Sequence, residues 1–229
     1  MTQKITRLSA GTPSASSETT TKGTRALLTC GLLAGPLFIL LIVIQALTRP
    51  GFDLRRHPAS MLSLGDLGWI QIANFMACGL LIVAFAVGLR RVLHPGRGGT
   101  WGPLLVGAYG LGLIAAGAFV ADPAFGFPPG TPQGIPTTLS LNAVLHGIGF
   151  TFAFVALTLA CLVFARRYAA LQQRGWAAYT FATAVTALAL SMWPGQDGAS
   201  VRYFIASVIV CAWTSAIAQQ LKTENHARE

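Results

Sequence analysis

The chain has 229 residues, of which 53% are hydrophobic and only 10% charged, and its mean hydropathy is +0.60. A soluble domain carries about 25% charged residues, so this composition excludes an ordinary soluble fold and points to one membrane domain. The net charge of +9 would suggest a nucleic-acid partner in a soluble protein; here the basic residues flank apolar runs, where they read as topology signals beside an anionic membrane surface, and no nucleic-acid partner is expected.

In chain order, residues 1–24 are rich in Ser and Thr and lack an apolar run, which predicts a disordered cytoplasmic tail. The first apolar stretch is long enough to span a bilayer and no cleavage site follows it, so no cleavable signal peptide is expected. Residues 25–220 then form an all-α, polytopic six-helix transmembrane domain, and 221–229 a second cytoplasmic tail. A helix needs ~20 mostly apolar residues to cross the hydrocarbon core. The segments that qualify are Ala26 to Leu47, Gly68 to Leu89, Trp101 to Ala121, Leu141 to Ala165, Trp176 to Trp193 and Val201 to Gln219. Trp69, Trp101, Trp176 and Trp193 fall at their ends, where indole favours the headgroup boundary.

Lys and Arg set the orientation. Twelve (Lys4, Arg7, Lys22, Arg25, Arg90, Arg91, Arg97, Arg166, Arg167, Arg174, Lys222 and Arg228) share one side, and four (Arg49, Arg55, Arg56 and Arg202) the other. Both termini are therefore expected in the cytoplasm of a multi-pass protein of the cell (plasma) membrane. All four aspartates, Asp53, Asp66, Asp122 and Asp197, fall on the outer side. The four cysteines lie in apolar spans without CxxC or Cys/His spacing and read as packing residues. Gly31 and Gly35 make a GxxxG step, read as packing within the bundle.

Strongly polar side chains inside the spans gather toward the outer side. Gln71 and Asn74 share a face of the second helix, Asn142 and His146 a face of the fourth, and Gln45 and Asp122 end the first and third. Amides and imidazoles are costly in lipid unless they face protein or water, so these residues predict an outward-facing polar vestibule. The first outer loop, Thr48 to Leu67 ("TRPGFDLRRHPASMLSLGDL"), carries three arginines against the topological trend, with two prolines and two glycines. It is expected to fold as a cap, with Arg55 and Arg56 paired to Asp122 or Asp197. Asp53, Arg56 and His57 are then brought against Asn74, Asp122 and His146 in one site. The run "PPGTPQGIP", 128–136, is expected to narrow the mouth of the vestibule.

Sharper chemistry has weaker support in the spacing. Asp53, His57 and Ser60 are the components of a hydrolytic triad, and His57, His146 and outer aspartates such as Asp122 are the components of an open metal site, but no HxxxH or HxH pattern accompanies them. No cofactor is implied. The spans hold no midplane ionisable residue of the kind coupled transport uses.

Three blocks, "TRPGFDLRRHPASMLSLGDLGWIQIANF", "AFAVGLRRVLHPG" and "DPAFGFPPGTP", resemble in order the bacterial membrane proteins of domain-of-unknown-function family 998. The resemblance runs from about Gly31 to Gln219 and implies six membrane helices without an assigned reaction. It places Arg49, Pro50, Asp53, Arg56, His57, Ser60, Leu64, Gly65, Trp69, Asn74 and Phe75 on the family's first-loop pattern. Asp122, Pro123, Pro128, Pro129 and Gly130 fall on its third-connection pattern, and His146 on a histidine expected soon after. A more distant similarity of topology links the chain to six-helix proteins of the Frag1/DRAM type, some of which are associated with lipid-anchor remodelling or membrane-lipid organisation.

The function expected first is binding, without catalysis, of a lipid headgroup, a small polar ligand or a membrane partner protein under the cap, through Arg49, Asp53, Arg55, Arg56, His57, Asn74, Asp122, Asn142 and His146. Guanidinium groups suit phosphate or carboxylate there. The alternative is a membrane-embedded enzyme acting on lipid or lipid-linked substrate through Asp53, His57, Ser60 or His146, and the third is a transporter.

Overall fold

The computed structural model describes residues 15–195 and 197–227. Six helices long and apolar enough to cross a membrane follow one another: α1 (Ala15–Thr48), α2 (Gly68–Leu93), α3 (Trp101–Ala118), α4 (Leu141–Ala170), α5 (Arg174–Met192) and α6 (Ala199–His226). A short 3-10 helix, Ala59–Ser63, lies between α1 and α2. The six expected spans map onto these helices one for one. The expected tail, 1–24, falls partly outside the described residues, and from Ala15 the chain is helical. At the other end α6 continues past Gln219 to His226, because a helix need not stop at the lipid boundary when i,i+4 contacts such as Gln220 Nε2 to Glu224 Oε1 (2.8 Å) support it.

Each helix packs against its neighbours in the chain, and α6 returns to pack on α1, so the bundle is a closed ring. Small residues set the closest approaches. A Cβ on Gly35 would lie 2.7 Å from the Cys211 carbonyl oxygen on α6, and one on Gly112 would lie 2.6 Å from the Ala153 Cβ on α4. The GxxxG step of α1 therefore serves packing inside the bundle, as small residues do where lipid offers no hydrophobic drive between helices. Pro36 sharpens the same joint. It has no N–H for the carbonyl of Leu32 four residues earlier, and the Ser215 hydroxyl of α6 donates to that oxygen at 3.0 Å.

The two halves of the ring are filled differently. Toward the end where α1 begins and α6 ends, Phe85, Phe164, Tyr168 and Trp213 are fully buried, and the Trp213 indole N–H donates to Thr180 Oγ1 at 3.2 Å. Toward the opposite end a smaller cluster of Phe38, Ile42, Leu62 and Phe75 borders open space. Large apolar side chains such as Leu40, Leu80, Leu111 and Phe181 are more than half exposed on the outside of the ring, the face that lipid covers. The four cysteines are free.

Candidate functional site

The connections 49–67 and 119–140 fold together over one end of the ring, and main-chain carbonyls dictate how. Arg49, next after α1, is buried; its guanidinium donates from Nη1 to Leu62 O (3.1 Å) and from Nη2 to Leu64 O (2.5 Å), at the end of the 3-10 helix. Its Cζ also sits 5.6 Å from the centre of the Phe127 ring. Burial lowers the Arg49 pKa, and the nearby charge of Asp66 opposes that shift. Two glycines with positive φ admit the second loop: Gly51 (φ 77°), where a Cβ would meet Pro129 at 2.8 Å, and Gly65 (φ 71°), packed against Arg49 and Pro128.

His57 is the centre of this cap, 2% exposed and with ring centroids 5.4 Å from both Phe52 and Phe127. Its Nδ1 accepts the backbone N–H of Asp53 at 2.9 Å, so the ring proton is on Nε2, which donates to Phe125 O at 3.1 Å. Phe125 has a left-handed backbone (φ 55°), a costly conformation for a residue with a side chain, and its carbonyl also accepts from Arg56 Nη2 at 3.4 Å. Arg56 donates further to Gln133 Oε1 at 3.1 Å, while its own carbonyl accepts from Ser200 Oγ of α6 at 3.0 Å.

Several expectations are corrected by this geometry. Arg56 does not pair with Asp122: the Asp122 carboxylate accepts from Ser140 N (2.7 Å) and Ser140 Oγ (2.6 Å), which closes the base of the second loop on the first residue before α4. These two bonds, the side-chain one foremost, hold the Asp122 carboxyl below its usual pKa. Asp53 does not orient His57 through its carboxylate, because Oδ1 accepts from the Arg55 N–H at 2.9 Å; the hydrolytic arrangement with Ser60 is not assembled. With both His57 nitrogens engaged, neither is open to a metal, and among the described residues no three His, Cys, Asp or Glu side chains gather as a metal site. Asn142 is exposed in the first turn of α4, although it shares a helical face with the buried His146. In the segment 128–136, Pro128 and Pro129 pack against Gly65 and Gly51 of the first loop, while residues 132–135 are exposed.

The intramembrane amides form a separate group. Gln45 Nε2 donates to Gln71 Oε1 at 2.8 Å, and Asn74 Nδ2 donates to Phe38 O at 3.1 Å and to Gln71 Oε1 at 3.3 Å, a buried ladder between α1 and α2. They point inward as expected, but toward each other. His146 is in a third place. Its Nδ1 lies 2.9 Å from both Ala116 O and Phe119 O, so it carries the proton and closes the end of α3.

What His146 borders is a cavity of about 290 Å³, near the lower limit of small-molecule sites, ~300–1,000 Å³. Its walls come from α1 (Phe38, Ile42), α3 (Tyr109, Leu113), α4 (His146, Phe150, Leu157) and α6 (Tyr203, Ser207, Cys211), and Pro58, Ala59 and Ser60 form its roof. On the α4–α6 side the rings of Phe150 and Tyr203 border it, 5.8 Å apart. Among the described residues no Asp, Glu, Lys or Arg lines it. The polar groups that border it include Ser191 Oγ, buried without a hydrogen-bond partner, and His146 Nε2, the nitrogen that α3 does not use. The search for polar residues in the sequence missed Tyr109, Ser191 and Tyr203. A signal was present in the small residues Ser60, Gly147, Ala153, Ala206 and Ser207, which meet where large side chains fill the other half.

No curated protein and no solved structure matches the chain. A family model does: the one described as "Protein of unknown function (DUF998)" matches residues 32–220, from within α1 almost to the end of α6, and the chain belongs to that family.

Proposed function

We propose that the protein binds an uncharged membrane amphiphile in the cavity beneath the cap, its chain lying among Phe38, Leu113, Phe150 and Leu157 and its polar head hydrogen-bonded at Ser191 and His146. The observation that carries this reading is a cavity with no charged side chain that nevertheless holds a buried, unpartnered hydroxyl. A buried polar group without a partner costs roughly 1–3 kcal/mol, which a hydroxyl or carbonyl of a ligand recovers. A charged headgroup would meet no counter-ion there, so the ligand class is that of long-chain alcohols and glycerides rather than phosphate or carboxylate. Of the arginines expected to hold an anion, Arg49 and Arg56 are engaged by main-chain and amide oxygens instead, and Arg55 is exposed and does not line the cavity. By the distribution of Lys and Arg, the cap faces away from the cytoplasm of a cell membrane.

Gly147 supplies the test. It borders the cavity, and a Cβ there meets nothing within 4 Å, so a side chain is tolerated. Oleyl alcohol is expected to raise the melting temperature of the protein in mild detergent, oleate at the same concentration is not, and Gly147→Phe is expected to remove the shift while keeping the fold. Stabilisation by oleate equal to that by the alcohol would refute the uncharged-ligand reading.

A further inference from the structure

The opposite end of the ring carries an unlike site. The turn between α2 and α3 is folded by two arginines: Arg90 Nη1 donates to Gly99 O (2.8 Å) and Thr100 Oγ1 (2.9 Å), and Arg167 Nη1 of α4 donates to Arg97 O (2.5 Å). These bonds make one wall of an open groove between the turn and the end of α4, lined by Arg97, Trp101, Val163, Arg166 and Arg167. Among the described residues the Arg97 and Arg166 guanidinium groups have no partner in the protein, no acidic side chain lines the groove, and Arg167 Nε is buried without an acceptor. Beside them Trp101 is 66% exposed at the first turn of α3, at the level where an indole sits among headgroups.

We propose that this groove binds the headgroup of an anionic phospholipid, with Arg97 and Arg166 on the phosphate and Trp101 and Val163 against the start of its chains. Three features select that ligand. Guanidinium forks match phosphate oxygens with paired hydrogen bonds. The groove opens where spanning helices end, so a lipid reaches it without leaving the bilayer. The Lys and Arg distribution assigns this end to the cytoplasmic leaflet, where anionic lipids are enriched. The site lies at the other end of the bundle from the cavity under the cap and does not depend on it.

The experiment measures binding of dioctanoyl-phosphatidylglycerol, dioctanoyl-phosphatidylcholine and inorganic phosphate to the full chain in a non-ionic detergent. Phosphatidylglycerol is expected to bind, with the other two at least tenfold weaker. Replacing Arg97 and Arg166 together by Gln is expected to weaken phosphatidylglycerol roughly 10- to 30-fold, at about 1 kcal/mol for each basic side chain near an anionic surface. The double substitution Arg91→Gln and Arg174→Gln removes the same charge from the same end of the ring and is expected to change affinity less than about twofold. Melting temperature verifies the fold of each variant, and the single Arg166→Gln, expected to cost about fivefold, replaces the double variant if that one does not fold. Equal losses in the two double variants would reduce the site to a diffuse positive field, equal binding of phosphatidylcholine would remove the charge argument, and equal binding of inorganic phosphate would make it a site for soluble anions; each result overturns the proposal.

Discussion

The half of the ring where α1 begins and α6 ends is solid, and two of the arginines on its rim, Arg97 and Arg166, have guanidinium groups without a partner among the described residues, whereas the half beneath the cap is hollow and its Arg49 and Arg56 are engaged. Trp213, Phe164 and Tyr168 fill the first; Ser60, Gly147, Ala153 and Ser207 leave space in the second. Arg97 and Arg166 face outward, while Arg49 and Arg56 hold loops together. The difference teaches that the same side chain does opposite work according to the oxygens within reach. At the cap end two long connections supply bare carbonyls in a dry setting, and a guanidinium there satisfies main chain that would otherwise be orphaned. At the other end the turns are short, Arg90 and Arg167 already serve the carbonyls of Gly99 and Arg97, and Arg97 and Arg166 are left over.

If that contrast is correct, the largest effect of a single substitution falls at Arg49. Arg49→Ala leaves the carbonyls of Leu62 and Leu64 without donors and removes the cation over Phe127, for a loss of about 3 kcal/mol. Thermal unfolding in detergent measures it, and a loss below ~1 kcal/mol would mean that the cap is held by something else. Arg49→Lys is expected to recover less than half, since an ammonium does not span both carbonyls.

His57→Ala comes next. It removes one donor and one acceptor bond and opens a gap between Phe52 and Phe127, at about 2–3 kcal/mol. Added zinc is expected to leave the melting temperature of the parent protein unchanged. Zinc-dependent stabilisation abolished by this substitution would restore a metal role to the cap.

The smallest effects concern Asp122. Because its partners are on Ser140 and those of Arg56 are on Phe125 and Gln133, the pair Arg56→Ala and Asp122→Ala is expected to be additive within ~0.5 kcal/mol in a double-mutant cycle. The Ser140 bonds also give a pH signature. A carboxyl whose folded pKa is depressed adds stability that is present above its unfolded pKa and is lost as pH falls through the folded value. Asp122→Asn should lower stability at neutral pH and flatten the profile on the acid side of the ordinary carboxylate pKa, where parent and variant converge.

The six helices were legible because each states its length in apolar residues, and the exposed Trp69, Trp101 and Trp193 mark three of the expected interfaces. Trp176 is the exception, partly covered by Tyr168 at 5.8 Å between ring centroids. A folded cap was legible too, from its prolines, glycines and charge. Its pairings were not: the acceptors of Arg49 and Arg56 are mostly carbonyls, which every residue has and no sequence displays. Counting polar side chains found Gln71, Asn74 and His146 and placed them in one vestibule, but each had a nearer partner in the backbone or in a neighbouring amide. The cavity was hidden because it consists of what is small.

A ring closed by its first and last helices has a history as well as a shape. The Leu32 carbonyl beside Pro36 waits for a hydroxyl that is 183 residues away in the chain. Until α6 is synthesised and inserted, that oxygen and the side of the cavity that Tyr203, Ser207 and Cys211 of α6 will cover face bilayer lipid. Closure therefore happens around whatever occupies the interior at that moment, and the last helix to arrive separates the contents of the cavity from the surrounding membrane.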